Sequence, residues 1–263
     1  MTAPAFITGG SSGIGLELAR LLARRGHSVA LFARDANRLQ AAAEVIESET
    51  KGAKVATFAV DVGNREACLA AVDQAIADLG GPGWAIANAG IAEPGFFADQ
   101  DLDTHDRHMR INYQGALYFA KACVPAMAPG GKLVFVASGA AFFGIYGYSA
   151  YAPTKFAMRG LAEVLRVELA PKGVSVTLAY PPDTDTPMLE AENRLKSAAT
   201  KEITAGGGLW RPADVARVIL ARADKGRFAA APGVQMRALL GLHSLLGPAL
   251  RAWQGWIVRR KDG

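Results

Sequence analysis

The sequence predicts a single α/β domain in which short apolar strands alternate with amphipathic helices. The chain has 263 residues, enough for one large domain with an ample core, and no internal repeat is evident. Its composition is 51% hydrophobic and 20% charged, which is typical of a globular protein. An apolar strand at residues 5–8 passes through a glycine-rich turn into a helix at residues 16–25. This order is typical of the first unit of a parallel sheet.

The later elements follow the same alternation. Further strands are expected at residues 28–33, 54–60, 83–87, 132–138, 174–180 and 227–231. Further helices are expected at residues 35–51, from residue 64, and at 104–127, 149–171 and 212–223. Asp35 and Asn64 have the side chains of helix N-caps.

Composition argues against several classes of protein. The formal net charge of +5 comes from basic residues after Gly226. Because these residues are mixed with leucine and do not follow a groove with stacking aromatics, they do not indicate nucleic acid binding. Cys68 and Cys123 lack the spacing of a disulfide or metal site, so we expect buried thiols in a reducing compartment. The 4 histidines are scattered, and no metal site is expected.

The stretch from Ser138 to Lys155 carries the residues that indicate chemistry. Tyr151 and Lys155 are one helical turn apart and would share a helix face. Because a nearby ammonium favours the phenolate, Lys155 is expected to lower the pKa of Tyr151 from its ordinary value of about 10. Ser138 would end a strand, where its hydroxyl can bond the oxygen that Tyr151 protonates. Each residue alone is better explained by capping, packing or solvation, so the inference depends on their occurring together.

The glycine-rich turn at residues 9–15 predicts a phosphate site. Glycine allows the backbone to approach a pyrophosphate, and the following helix N-terminus offers free N–H groups and a positive dipole end. The spacing Gly-x-x-x-Gly-x-Gly differs from the commoner Gly-x-Gly-x-x-Gly. Alone, this stretch could be an ordinary turn.

Together these motifs resemble the short-chain dehydrogenase/reductase family. They are the glycine-rich turn, Asn88-Ala89-Gly90 after the fourth strand, a serine after the fifth, and Tyr-x-x-x-Lys, and the resemblance extends over residues 6–233. It implies a doubly wound Rossmann-type fold with a parallel seven-stranded sheet flanked by helices, and hydride transfer from a nicotinamide cofactor. The implied catalytic residues are Asn112, Ser138, Tyr151 and Lys155.

The resemblance also implies roles for two of these residues. Asn112 would bend its helix and hold a water that links Lys155 to solvent. Lys155 would bind the nicotinamide ribose. Members of the family usually pair their fourth and fifth helices, so a homodimer or homotetramer is expected.

The end of the second strand favours NADPH over NADH. An acid there binds the ribose 2′-OH of NAD, whereas an arginine accommodates the 2′-phosphate of NADP. The resemblance puts Ala33 at the acid's position and Arg34 beside it. A shift of one residue would instead place Asp35 at the ribose, and Arg34 could be a surface charge at a helix start.

The remaining cofactor contacts are expected at the carboxyl ends of the strands. The resemblance implies that Asp61 and Val62 contact adenine, while Asn88 mainly holds the sheet. Hydroxyls of Thr184 and Thr186 can hold the carboxamide and pyrophosphate, although this loop could also be a plain sharp turn. The full set is Gly9, Ser11, Ser12, Gly13, Ile14, Gly15, Arg34, Asp61, Val62, Asn88, Ala89, Gly90, Tyr151, Lys155, Pro181, Thr184 and Thr186.

The loop Tyr180-Pro-Pro-Asp-Thr-Asp-Thr-Pro187 narrows the resemblance, because most family members have Pro-Gly and a short threonine motif there. This loop and the following Glu190-Ala-Glu-Asn193 are similar to those of the 3-ketodihydrosphingosine reductases, as are residues 6–15 and 155–163. These enzymes use NADPH to reduce the 3-keto group of a long-chain sphingoid base in sphingolipid synthesis. The alternatives are a reductase of another lipid ketone, such as a 3-oxoacyl thioester or a steroid, and a regulatory nucleotide-binding protein. The intact catalytic set argues against the last.

Residues 234–258 form an apolar stretch flanked by basic residues. Its longest uncharged run is shorter than the roughly 20 residues that a bilayer crossing needs. The pattern favours equally a helix lying on a membrane and a helical pair that covers the substrate cleft or a second subunit.

These patterns divide the chain into two parts. We expect an NADP-binding reductase domain at residues 1–233 and an amphipathic basic tail at residues 234–263. The domain would include a substrate loop at residues 187–211, with glycines at 206–208 that form a hinge or a disordered loop. With no targeting peptide before the first strand, we expect a cytoplasmic protein, either free or peripheral on the cytoplasmic face of a membrane.

Overall fold

The computed structural model describes residues 2–262 and contains one parallel sheet of seven strands. Its strand order, β3-β2-β1-β4-β5-β6-β7, confirms the predicted doubly wound fold. The strands are β1 (Ala5–Thr8), β2 (Val29–Ala33), β3 (Val55–Ala59), β4 (Trp84–Ala87), β5 (Lys132–Val136), β6 (Ser175–Ala179) and β7 (Ala229–Ala230).

Helices cover both faces of the sheet, which explains why the strands are apolar along their whole length. Phe6 of β1 packs in the core on one face of the sheet, while the next residue, Ile7, packs in the core on the opposite face. The helices are α1 (Gly13–Arg24), α2 (Ala36–Glu49), α3 (Arg65–Leu79), α4 (Leu102–His108), α5 (Gly115–Cys123), α6 (Ala152–Glu168), α7 (Pro187–Leu195), α8 (Ala198–Thr204), α9 (Pro212–Asp224) and α10 (Gly233–Lys261). Cys68 and Cys123 are free and buried, as expected.

The helix predicted at residues 104–127 is not continuous. A π-helical turn at Met109–Gln114 separates α4 from α5, and a 3-10 turn at Val124–Ala126 follows. Asn112 lies within the π-helical turn, and its amide bonds to Ile91 in the loop after β4. This bond to a distant segment accompanies the local widening, in agreement with the expected distortion at Asn112.

Several element boundaries also differ from the sequence prediction. Helix α1 begins at Gly13, so the end of the glycine motif belongs to its first turn. Helix α6 begins at Ala152 with Pro153 in its first turn, and Tyr151 is its N-cap residue. Strand β5 ends at Val136, and Ser138 lies beyond it at the start of a 3-10 turn. Residues 206–208, expected as a hinge or a disordered loop, are part of a compact turn in which Gly207 lies against Pro182.

The C-terminal stretch forms one helix of 29 residues, so the helical pair predicted as an alternative is wrong. Within residues 2–262, no helix is long and apolar enough to cross a membrane. Helix α10 packs on the rest of the domain through Ile257, which is fully buried against Ala199 and Ile203 of α8.

Polar contacts fix the same end of α10. The buried Gln254 amide accepts a hydrogen bond from Tyr146 N at 3.0 Å and donates one to Gly144 O at 3.0 Å. The Asp262 carboxylate accepts a hydrogen bond from Ala199 N at the start of α8. The helix is therefore attached both to the segment before α6 and to α8.

Candidate active site

A cavity of about 610 Å³ lies at the carboxyl ends of the central strands. This is the edge at which open parallel sheets place their ligands. One part is polar and includes Gly9, Ser11, Ser12, Ser138, Tyr151 and Lys155. The other part is apolar and includes Phe143, Ile145, Met236, Leu239, Leu246, Leu250 and Trp253. The cavity thus joins a polar end to an apolar channel beneath α10.

Three of the predicted catalytic residues meet at the polar end. Lys155 Nζ lies 5.3 Å from the centre of the Tyr151 ring and donates a hydrogen bond to Val136 O at 3.3 Å. Ser138 Oγ accepts a hydrogen bond from Ala140 N at 3.2 Å, which orients its hydroxyl at the end of β5. The phenol, ammonium and hydroxyl therefore face one cavity, as their sequence spacing indicated.

The lowered pKa expected for the Tyr151 phenol is not found in this structure. Burial is the main influence and raises the pKa of Tyr151 above its ordinary value. The negative charges of Glu192 and Asp183 raise this pKa further, whereas the Ser138 hydroxyl lowers it. The same burial lowers the pKa of Lys155 to about 8. Loss of hydration penalises both charged forms.

Asn112 lies behind these residues and is fully buried. Its Oδ1 accepts a hydrogen bond from Ile91 N at 2.8 Å, and its Nδ2 donates to Ile91 O at 2.9 Å and to Thr154 Oγ1 at 3.1 Å. Thr154 belongs to α6, directly before Lys155. Asn112 therefore connects the segment after β4 to the helix that carries Lys155.

The glycine-rich turn needs glycine for steric reasons. Gly9 and Gly13 have φ angles of 64° and 54°, in the left-handed region. A Cβ atom on Gly15 would lie 2.2 Å from Gly9 O, so α1 can start this close to the turn only with glycine there. Asn88 supports the turn, as expected, because its Nδ2 donates to Thr8 O at 3.1 Å and to Gly9 O at 3.3 Å.

The start of α1 faces the cavity. The Ser12 side chain makes no capping hydrogen bond to this helix, and Ser12, Gly13 and Ile14 line the cavity wall. Ala89 and Gly90 line the same wall. The N–H groups of the first helical turn are thus placed for an anionic ligand.

The loop after β6 closes the cavity opposite α1. Pro181, Thr184 and Thr186 line it, and a Cβ atom on Gly13 would lie 2.9 Å from Thr186 Cγ2. Thr184 Oγ1 donates to Pro182 O at 2.8 Å, and Thr186 Oγ1 donates to Thr184 O at 3.1 Å. Both hydroxyls therefore organise this loop, and the contacts expected of them with a ligand stay predictions.

A second cavity, of about 190 Å³, adjoins Ser11 and Ser12 at the end of β2. Arg34 and Arg38 line it together with Asp61 and Val62. Sequence reasoning missed Arg38, which lies in the first turn of α2, four residues after Arg34.

Asp35 has a structural role at this second cavity. Its Oδ1 caps α2 by accepting hydrogen bonds from Asn37 N at 3.0 Å and Arg38 N at 3.1 Å. Its Oδ2 lies 3.7 Å from Arg38 Nε. Because the carboxylate is used by the cap and an arginine, the alternative in which Asp35 binds a ribose loses support.

A buried polar group beside the main cavity was also missed. Glu192 of α7 accepts a hydrogen bond at Oε2 from the Tyr148 hydroxyl at 2.7 Å. The fully buried Lys196 side chain lies 3.7 Å from this oxygen and 3.4 Å from Asp183 Oδ2. Glu192 and Lys196 are one helical turn apart, a spacing that indicates an ion pair but not its burial.

Comparison with known proteins finds similarity along most of the chain. A family model described as short chain dehydrogenase matches residues 3–196. A 3-dehydrosphinganine reductase from Danio rerio is 35% identical over 95% of this chain and 76% of the relative. A 3-ketodihydrosphingosine reductase from Bos taurus is 36% identical over 95% and 76%. A protein with the same name from Dictyostelium discoideum is 36% identical over 93% and 77%.

Solved structures share the fold. A short-chain dehydrogenase from Burkholderia cenocepacia in complex with NADP is 27% identical, with a TM-score of 0.76 over 89% of this chain and 98% of that one. A short-chain dehydrogenase from Sphingobium yanoikuyae in complex with NADPH is 25% identical, with a TM-score of 0.77 over 95% and 96%.

The buried bonds of Asn112 predict a large stability effect. Asn112→Ala removes both bonds to Ile91 and the bond to Thr154, so we expect the free energy of unfolding to fall by about 2 kcal/mol or more. Denaturant unfolding followed by circular dichroism measures it. Asn193→Ala, at an exposed position on α7, is the control and should change little. Equal effects of the two substitutions would contradict a structural role for Asn112.

Proposed function

Because the chain belongs to the short-chain dehydrogenase family, we propose that it uses NADPH to reduce the 3-keto group of 3-ketodihydrosphingosine, giving dihydrosphingosine. One observation carries the proposal: a single cavity joins Ser138, Tyr151 and Lys155 to an apolar channel beneath α10. A ketone needs a proton donor, and a long alkyl chain needs an apolar wall. The names of the relatives at 35% and 36% identity support the same substrate.

The residues at the polar end fit a nicotinamide dinucleotide. The turn at Gly9 and Gly13 keeps the backbone open where a Cβ atom would meet Asn88 or Thr186. The start of α1 beyond it offers N–H groups to the pyrophosphate. Arg34 and Arg38 line the adjoining cavity, where they would bind the 2′-phosphate that distinguishes NADPH from NADH.

Bound NADPH supplies the hydride that reduces the ketone carbon. Ser138 directs its hydroxyl at the ketone oxygen and holds it beside Tyr151. The Tyr151 phenol is protonated at neutral pH, so it has a proton to donate as negative charge develops on the oxygen. Lys155, with a pKa of about 8, is mostly charged at pH 7 and stabilises the phenolate that remains.

Asn112 has a supporting role in this scheme. Its bonds to Ile91 and Thr154 hold the segment after β4 against α6, which keeps Lys155 in place. We also propose that it helps to return a proton through Lys155 to solvent.

We further propose that the outer face of α10 contacts a membrane surface, from which the enzyme would take its lipid substrate. Leu242, Leu245 and Trp256 lie along one stripe of this helix and are exposed by 47%, 76% and 50%. Arg260 stacks over the Trp256 ring at 4.2 Å, and Arg259 is exposed beside it. Apolar and aromatic side chains next to arginines are typical of helices that lie on anionic bilayers.

The substrate proposal predicts a preference among ketones. Oxidation of NADPH, followed by absorbance, should give the highest kcat/KM with synthetic 3-ketodihydrosphingosine, compared with an acetoacetyl thioester and a steroid ketone. Tyr151→Phe removes the proton donor, so it should lower kcat about 100-fold or more while cofactor affinity stays nearly unchanged. A higher kcat/KM on either other ketone would contradict the proposed substrate, and retained turnover in the variant would contradict the role of Tyr151.

The cofactor preference should depend on the two arginines. Arg34→Ala and Arg38→Ala should each raise the KM for NADPH about 10-fold or more and leave the KM for NADH nearly unchanged, because only NADPH carries the phosphate. Steady-state kinetics with both cofactors measure this. Arg65→Ala, an exposed arginine on α3, is the control. Equal changes in the two KM values would contradict NADPH selection at this site.

The membrane proposal is tested by flotation with vesicles of phosphatidylcholine and phosphatidylserine. Wild-type protein should float with the vesicles, and the combined variant Leu242→Gln, Leu245→Gln and Trp256→Gln should remain at the bottom. Leu102→Gln, an exposed leucine on α4, is the control and should float. Flotation of the triple variant, or failure of the wild type to float, would contradict membrane contact through α10.

A further inference from the structure

Glu192 lies in the wall of the main cavity, close to the proposed proton donor. Its side chain is only 12% exposed. The Tyr148 hydroxyl bonds to Glu192 Oε2, and the Tyr148 ring lies 5.4 Å from the Tyr151 ring, centre to centre. One aromatic ring therefore separates this carboxylate from the phenol.

One oxygen of this carboxylate, Oε1, has no hydrogen bond or ion pair with the described residues. Among residues 2–262, both the hydrogen bond from Tyr148 and the ion pair with Lys196 involve Oε2, and neither involves Oε1. The Lys196 ammonium is also shared with Asp183. Two carboxylates thus share one ammonium, which leaves negative charge beside the cavity.

Burial makes that charge costly. It raises the pKa of Glu192 above the ordinary range, although the Tyr148 hydroxyl and Lys196 act in the opposite direction. A purely structural ion pair is stable when each buried charge has its partner. The free oxygen and the excess carboxylate instead indicate a site for a cation that enters with the ligand.

We propose that Glu192 binds the ammonium group next to the ketone of the substrate, and that it thereby selects 2-amino ketones over equally long ketones without the amine. This inference rests on the proposed function. In a sphingoid base the amine is on the carbon adjacent to the 3-keto group, so its binding group must lie close to the proton donor. Glu192 lies close to the Tyr151 proton donor, because the Tyr148 side chain contacts both residues. The alkyl chain would extend toward Leu246, Leu250 and the rest of the channel.

Binding of the ammonium would also prepare the proton donor. The charge of Glu192 raises the pKa of Tyr151, and so opposes formation of the phenolate. A substrate cation at Glu192 compensates that charge, so the phenol becomes a stronger acid when an amino ketone is present. Selectivity would therefore be visible in kcat as well as in KM.

The experiment compares two ketones and two variants. The ketones are 3-ketodihydrosphingosine and 1-hydroxyoctadecan-3-one, which lacks the amine. Glu192→Gln should lower kcat/KM for the amino ketone about 10-fold or more, the usual effect of losing a hydrogen bond to a charged group. For the ketone without the amine, kcat/KM should stay the same or rise, because the charge that opposes the phenolate is gone. Glu190→Gln, on the exposed face of the same helix, is the matched control and should change neither. An equal loss on both ketones, or no loss on the amino ketone, would overturn the inference.

A binding measurement on the wild type avoids reliance on the variant's folding. Calorimetry with dodecylamine and 1-dodecanol should show about 10-fold or more tighter binding of the amine. Equal affinities would overturn the cation site. Preference for the amine in a wild-type protein that reduces neither ketone would support the cation site and contradict the proposed function.

Discussion

Burial of Lys155 and partial burial of Tyr151 in the cavity wall form the constraint on which the rest of the site depends. Burial raises the pKa of the phenol and lowers that of the ammonium to about 8, so both side chains resist the charged state. The phenol thus keeps its proton until a stronger base appears on the substrate. Proton transfer then depends on the few groups placed to favour the phenolate, which are Ser138 and Lys155. The negative charge of Glu192 acts against them.

Helix α10, at the far end of the chain, covers another part of the same cavity. It is fixed at one end by Gln254 and Ile257, and its inner face completes the apolar part of the cavity. The same helix presents a second apolar stripe outward. The helix therefore has an inner face that packs against the domain and an outer face that is exposed.

The two sides of the cavity differ in the kinds of residue that form them. The cofactor side is made of glycines, backbone groups and short polar side chains, because a large charged ligand needs close backbone approach and N–H donors. The other side is formed largely by side chains of α7 and α10, which make it mainly apolar.

Much of the fold and of the polar site could be predicted from the sequence, because their signatures are local. Short stretches of sequence are enough to recognise the glycine turn, the pair Tyr151 and Lys155, and each strand and helix in turn. The cofactor preference at Arg34 followed from the same kind of pattern, although the capping role of Asp35 needed the structure to support it.

Only the tertiary structure decided what depends on groups distant in sequence. The π-helical turn at Asn112 accompanies bonds to Ile91, and the pKa of Tyr151 depends on burial and on Glu192, so neither could be predicted from local pattern. The amphipathic pattern predicted that one face of α10 would be covered. The structure shows that α8 packs against this face. The physical reason is the same in each case: a sequence determines local preferences and the identity of each side chain, whereas hydration and the neighbouring charges arise only when the chain is assembled.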